Sequence, residues 1–252
     1  MTSALLSSTN GGVLSLKLNR PEKRNALNAD LIDLLHQSLE RADLDPEVRV
    51  ILLKGAGKDF CAGADLDELL ASAEKSLAEN ETAALRLGTL FRRIRELPKP
   101  VLAMVHGRAL AGGAGLATAC DLVIAGQGAQ LGYPEVQRGF APAMVMALLR
   151  RLVGEKVALD LVLTGRVLPA EEARSAGLIS RVVPDAELER HAELLAAQLA
   201  ATSATALGIT KQLFYQLDTR NLADGIALGA RANAVARGTP DFREAIATFL
   251  RK

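Results

Sequence analysis

Tryptophan is absent from these 252 residues, and aromatic side chains make up only 3% of the chain. A protein that stacks single-stranded bases needs aromatic platforms, so that class of function is set aside. Net charge is also missing, because 30 Lys and Arg stand against 29 Asp and Glu and leave only +1. No bulk field remains to draw the chain to nucleic acid or to an anionic membrane. The two cysteines, Cys61 and Cys120, do not form a C-x-x-C pair, which excludes a disulfide framework and leaves two buried thiols in a reducing, cytoplasmic setting as the expectation. His36, His106 and His191 lack metal-ligand spacing, and no metal is expected. The most apolar stretch, 109–120, is interrupted by glycine and bracketed by Arg108 and Asp121, short of the ~20 apolar residues of a membrane helix. The first eight residues have neither the basic start nor the apolar stretch of a signal peptide. Also lacking are G-x-G-x-x-G after a strand, G-x-x-x-x-G-K-[ST] and G-x-S-x-G, which sets aside nucleotide and serine hydrolysis.

What is present describes an ordinary globular chain, 49% hydrophobic and rich in Ala, Leu and Gly. Asn10-Gly11-Gly12 between Leu5–Thr9 and Val13–Leu18 has the turn chemistry of a hairpin, with Leu14, Leu16 and Leu18 facing inward. Asn28 can cap a helix with the stripe Leu31, Leu34, Leu35, Leu39 and Ala42, ending before Pro46. Buried strands follow at 48–53, 101–105 and 122–125. A helix carrying Leu87, Leu90, Phe91, Ile94 and Leu97 stops at Pro98, and a short helix starts near Gly113. The alternation predicts parallel pairing and an α/β layered core over 1–186. From 187 to 252 only helical patterns remain, broken near Thr202-Ser203, Asp218-Thr219 and Gly238-Thr239-Pro240. A helical region of that size has to dock on the core or on another subunit. Residues 70–81 are weakly patterned and read as a loop or a frayed helix start.

Two Gly/Ala-rich turns and one carboxylate carry chemical interest. Phe60-Cys61-Ala62-Gly63-Ala64-Asp65-Leu66 and Ala109-Leu110-Ala111-Gly112-Gly113-Ala114-Gly115-Leu116 each follow a strand and precede a helix. Small side chains leave their backbone N–H groups accessible, so two such turns at neighbouring strand ends can aim two donors at one oxygen. Close helix–strand packing accounts better for either turn taken alone. Glu135 lies in the apolar segment Leu131-Gly132-Tyr133-Pro134-Glu135-Val136, where a raised pKa would suit a general acid/base; an exposed helix-capping role fits the same residue. His106 reads as a hydrogen-bonded strand-end residue and His36 as a surface one.

Taken in order, these pieces resemble the crotonase superfamily, the enoyl-CoA hydratase/isomerase family. The resemblance rests on Arg20-Pro21-Glu22-Lys23-Arg24-Asn25-Ala26-Leu27-Asn28, both Gly/Ala turns, Pro98-Lys99-Pro100-Val101, Ala119-Cys120-Asp121 and Leu131–Val136, then Leu163-Thr164-Gly165-Arg166 and Ala173–Ile179. It implies an α/β spiral of ββα units with a C-terminal helical trimerisation region, coenzyme A thioesters as substrates, and homotrimers or hexamers. CoA enters as part of the substrate, and no separate cofactor is implied. By position, the resemblance makes Ala64 and Gly112 donors to the thioester oxygen. Ala62, Asp65 and Leu66 would line the CoA pocket, with Lys23 and Arg24 near its phosphates.

Family hydratases usually carry two glutamates, and Gly115 stands where the first would be, leaving Glu135 alone. Enoyl-CoA hydration in fatty-acid or related acyl-CoA metabolism is the activity the family name implies. The alternatives are a 3-enoyl to 2-enoyl isomerisation by Glu135 alone and a non-catalytic acyl-CoA-binding subunit. Asp67, Glu68 and Tyr133 are the candidates for a second acid/base, though surface and packing roles suit them better. Asp121 reads as an anchor for backbone N–H groups.

Overall fold

A computed structural model describes residues 3–251. The chain opens with β1 (Leu5–Asn10) and β2 (Val13–Leu18), joined through Gly11 and Gly12 at φ of 54° and 79°. That left-handed pair matches the twist of a tight hairpin and is strain-free only for glycine. Leu14, Leu16 and Leu18 are buried as the alternation predicts. The Asn28 side chain accepts the Leu31 N–H and starts α1 (Ala29–Leu44), which buries Leu31, Leu35, Leu39 and Ala42. Next come β3 (Val50–Gly55), α2 (Leu66–Ala71), α3 (Leu77–Glu96), β4 (Val101–Val105), β5 (Arg108–Leu110), α4 (Gly112–Ala119), β6 (Leu122–Gly126) and β7 (Gln130–Gly132). A 3-10 segment, Pro134–Arg138, leads to α5 (Ala143–Leu152), α6 (Glu155–Thr164), β8 (Val167–Pro169), α7 (Ala170–Ser175) and β9 (Arg181–Val183). Four helices finish the chain: α8 (Leu188–Ala200), α9 (Ala204–Gln216), α10 (Leu222–Arg237) and α11 (Pro240–Leu250).

The strands form two sheets, ordered β1-β2-β3-β4-β6-β9 and β5-β7-β8. From β2 to β9 the large sheet is parallel, and only β1 joins it antiparallel. After β4 the chain crosses to the small sheet at β5 and α4 returns it to the large sheet at β6; after β6 it adds β7 and, past α5 and α6, β8 to the small sheet before α7 leads back to the large sheet at β9. Nothing in the periodicity marked β5, β7 and β8, because three residues are too few to show an alternation. The weakly patterned 70–81 segment is neither a loop nor one frayed helix. It is a break between two helices, with a 3-10 turn at Ser72–Glu74 and a capping box in which Ser76 and Glu79 exchange hydrogen bonds at the start of α3.

Two apolar clusters flank the large sheet. The larger lies between the two sheets and under α1, α3, α4 and α5. The smaller covers the opposite face, where Leu188, Ala192, Leu195 and Ala196 of α8 pack on Val50, Leu52, Leu102 and Ile124. Helices α10 and α11 bury no residue at all. Among the described residues, no single helix is long and apolar enough to cross a membrane.

Candidate active site

The two Gly/Ala turns touch. Cys61 donates its N–H to Arg108 O and accepts from Leu110 N, both at 3.0 Å, zipping the first turn to β5. A Cβ on Gly113 would stand 2.2 Å from Cys61 O, and one on Gly63, at φ 101°, would stand 2.9 Å from the Ala111 Cβ. Neither position accepts a side chain at that distance. Ala111 itself holds φ 50°, an uncommon conformation for a residue with a Cβ; such strain concentrates at functional turns. Gly63 O and Asp65 N are taken up by Leu27, at 2.7 and 2.9 Å, but the intervening Ala64 N–H has no protein partner among the described residues. The same is true of Gly112 N–H at the first position of α4. Two free donors therefore flank one seam between the turns.

Glu135 reaches this seam from the third layer of sequence. Pro134 opens the 3-10 segment, and Gly139 closes it at φ 81°. Buried Tyr133, its hydroxyl 3.4 Å from Thr118 Oγ1, anchors the segment from behind. Glu135 is only 3% exposed, which rules out the exposed capping role. Its Oε2 has no hydrogen-bond partner. Burial pushes its carboxyl above the usual range, with a bond to its own backbone and the Arg138 charge pulling partway back.

A cavity of about 450 Å³ joins these parts. Its walls include Lys23, Arg24, Ala62, Ala64, Asp65, Leu66 and Glu135, which are all of the residues expected from the sequence except Gly112. Gly112 lies one residue behind Ala111, which does line it. Asp65 has a positioning role: it caps α2 by accepting from Asp67 N and pairs with Arg20 at 2.8 Å. Burial raises its carboxyl, but the Arg20 bond and charge outweigh that and hold it below the ordinary value.

Each of the three candidates for a second acid/base already has a structural partner or is buried. Asp67 pairs with Lys23 at 2.7 Å, Glu68 accepts the Ala29 N–H, and the Tyr133 hydroxyl is held far above its usual range by burial. At Gly115 a Cβ would stand 2.5 Å from Val145 Cγ1 and 2.8 Å from Phe91 Cζ. The place of the first family glutamate is thus filled by neighbouring side chains. Sequence reading missed Arg108 and Arg138, which line the cavity together with Phe140. Arg138 follows Glu135 by three residues, and that spacing on a 3-10 segment was the available signal.

The profile described as "Enoyl-CoA hydratase/isomerase" matches residues 8–252. The chain belongs to the enoyl-CoA hydratase/isomerase family. A Thermus thermophilus protein provisionally named enoyl-CoA hydratase is 45% identical over 242 residues, covering 96% of each chain. The Escherichia coli 1,2-epoxyphenylacetyl-CoA isomerase is 35% identical, covering 100% of this chain and 97% of that one. In structure, an enoyl-CoA hydratase from Mycobacterium smegmatis superposes with a TM-score of 0.95 at 32% identity, over 98% of this chain and 96% of its own. This family member therefore has the crotonase fold and is an enzyme of hydratase or isomerase type.

Proposed function

We propose that this family member moves a double bond in an acyl-CoA by a one-base proton shift, converting a 3-enoyl to a 2-enoyl thioester. One observation carries the reading: a single buried carboxyl with an unpartnered oxygen lines the cavity, while the second acid's place at Gly115 is closed by Val145 and Phe91. The Glu135 carboxylate takes a proton from C2 of the 3-enoyl chain, and the C–H electrons pass into the thioester as an enolate. The Ala64 and Gly112 N–H groups hold the oxygen that gains this charge. One such preorganised donor is typically worth ~3 kcal/mol. The enolate collapses, the double bond moves to C2–C3, and Glu135 returns its proton to C4, so no water is gained or lost. A carboxyl whose pKa is raised toward neutrality is a better proton shuttle than an exposed one.

In the same reading Ala62, Asp65 and Leu66 wall the CoA segment, Lys23 and Arg24 sit toward its phosphates, and no further cofactor takes part. The two free, buried thiols support a cytoplasmic setting. The unburied helices α10 and α11, with Leu222 82% and Phe249 76% exposed, support assembly as a homotrimer or hexamer. Sedimentation of the full chain checks this; a stable monomer would refute it.

Hydration is the second reading, favoured by the names of the relatives. Incubation in D₂O with a trans-2-enoyl-CoA and, separately, a 3-enoyl-CoA separates the two by mass. Conversion of the 3-enoyl to the 2-enoyl compound without water uptake supports the proton shift. Gain of one water by the 2-enoyl compound shows that Glu135 hydrates unaided. Turnover unchanged in Glu135→Gln sinks the assignment of the base.

A further inference from the structure

Arg138 has no task in the proton shift. A 3-10 segment has three residues per turn, so side chains at i and i+3 leave on the same side, and Glu135 and Arg138 are such a pair. Both line the cavity, and the guanidinium is near enough to draw the Glu135 carboxyl down against burial without forming an ion pair with it. For a base whose proton affinity is raised by burial, that nearby cation works in the wrong direction.

The other basic groups of the cavity are differently placed. Lys23 pairs with Asp67 at 2.7 Å, and Arg24 stands 3.8 Å from Asp59. Arg108 also borders the adjoining hollow formed with Pro21, Gly57 and Lys58, on the side of Arg24. Arg138 lies instead with Pro134, Glu135 and Phe140, and among the described residues no carboxylate forms an ion pair with it. A purely apolar acyl chain passing Glu135 would strip water from this guanidinium and give nothing back. A carboxylate carried by the acyl chain would meet it with a planar, charge-assisted pair of hydrogen bonds.

We propose that Arg138 recognises a carboxylate on the acyl group, so that the substrates are CoA half-thioesters of dicarboxylic acids. This rests on the reading that places the acyl chain beside Glu135. Calorimetric titration with succinyl-, glutaryl- and adipyl-CoA against pentanoyl-, hexanoyl- and heptanoyl-CoA tests it with saturated ligands that cannot turn over. The expected result is about tenfold tighter binding of at least one diacid thioester than of its neutral counterpart, weakening as salt is added. Arg138→Gln abolishes that preference and leaves the affinity for free CoA as it was, and Arg138→Lys retains part of it. Equal affinities within every pair for the unaltered protein overturn the proposal. Equal weakening of free CoA in Arg138→Gln overturns it too, by giving the cation to CoA. Because these ligands bind without reacting, a wrong reaction assignment shows up only in the Glu135→Gln turnover assay and leaves the binding preference readable.

Discussion

Glu135 is a buried carboxyl and Asp121 a largely buried one in the same core, and their surroundings are opposite. Asp121 Oδ2 accepts the Val101 N–H at 2.7 Å and meets Lys211 Nζ at 2.7 Å, and its Oδ1 accepts the Tyr215 hydroxyl at 2.8 Å. Lys211 spends its other donors on Ile94 O and Lys99 O. Burial pushes the Asp121 carboxyl up and the Lys211 ammonium down, and each partner opposes the other's shift. With both Asp121 oxygens partnered and all three Lys211 donors engaged, the cluster fastens α9 to the start of β4. Glu135 keeps one oxygen unpartnered at a cavity wall. Burial alone does not mark a reactive group; what sets Glu135 apart is an oxygen left without a partner beside an open space.

That contrast can be broken at either end. Glu135→Gln retains shape and burial, so a folded protein with turnover reduced by about 10²–10⁴ is expected. Asp121→Ala should reverse the pattern: denaturant unfolding loses about 3–5 kcal/mol because Lys211 is left without its charge partner. Any activity surviving at low temperature should keep its pH profile. Gly115→Glu sharpens the comparison by forcing a second carboxyl into the site. The clash with Val145 and Phe91 should lower stability by about 1–3 kcal/mol and bring no hydration by the mass assay.

The smallest effect is a pH-dependent one. Because burial lifts the Glu135 pKa above its ordinary 4.5, the folded chain keeps this proton to higher pH than the unfolded chain does. The stability tied to it is complete below that ordinary value and is lost as pH rises toward the folded one. Glu135→Gln cannot ionise and escapes the loss. Its Tm should exceed that of the unaltered chain at pH 8, with the gap closing toward pH 4.

Much of this was legible in the chain itself. Asn28, Gly11-Gly12 and Pro98 act through local chemistry, and the elements they start or stop fall where that chemistry puts them. The cavity residues were legible through the order of several weak motifs, none of which was specific alone. What could not be read was reciprocal: that Gly63 answers to Ala111, or that Val145 and Phe91 fill the space above Gly115. Those facts belong to pairs 24 or more positions apart, and periodicity carries no information about them. Arg138 was missed for another reason, since its relation to Glu135 exists only if the segment is 3-10 and not extended.

The contact between Gly63 and Ala111 bears on how such a protein yields to mutational mapping. The donors that flank the seam are main-chain atoms of an alanine and a glycine, which an alanine scan passes over as already minimal. Replacement libraries restricted to truncation would report this stretch as dispensable and credit Glu135 with the whole activity. Only larger side chains, such as Gly63→Val or Gly113→Val, would expose the other half of the site, and each would displace both turns together because each glycine packs against the opposite turn.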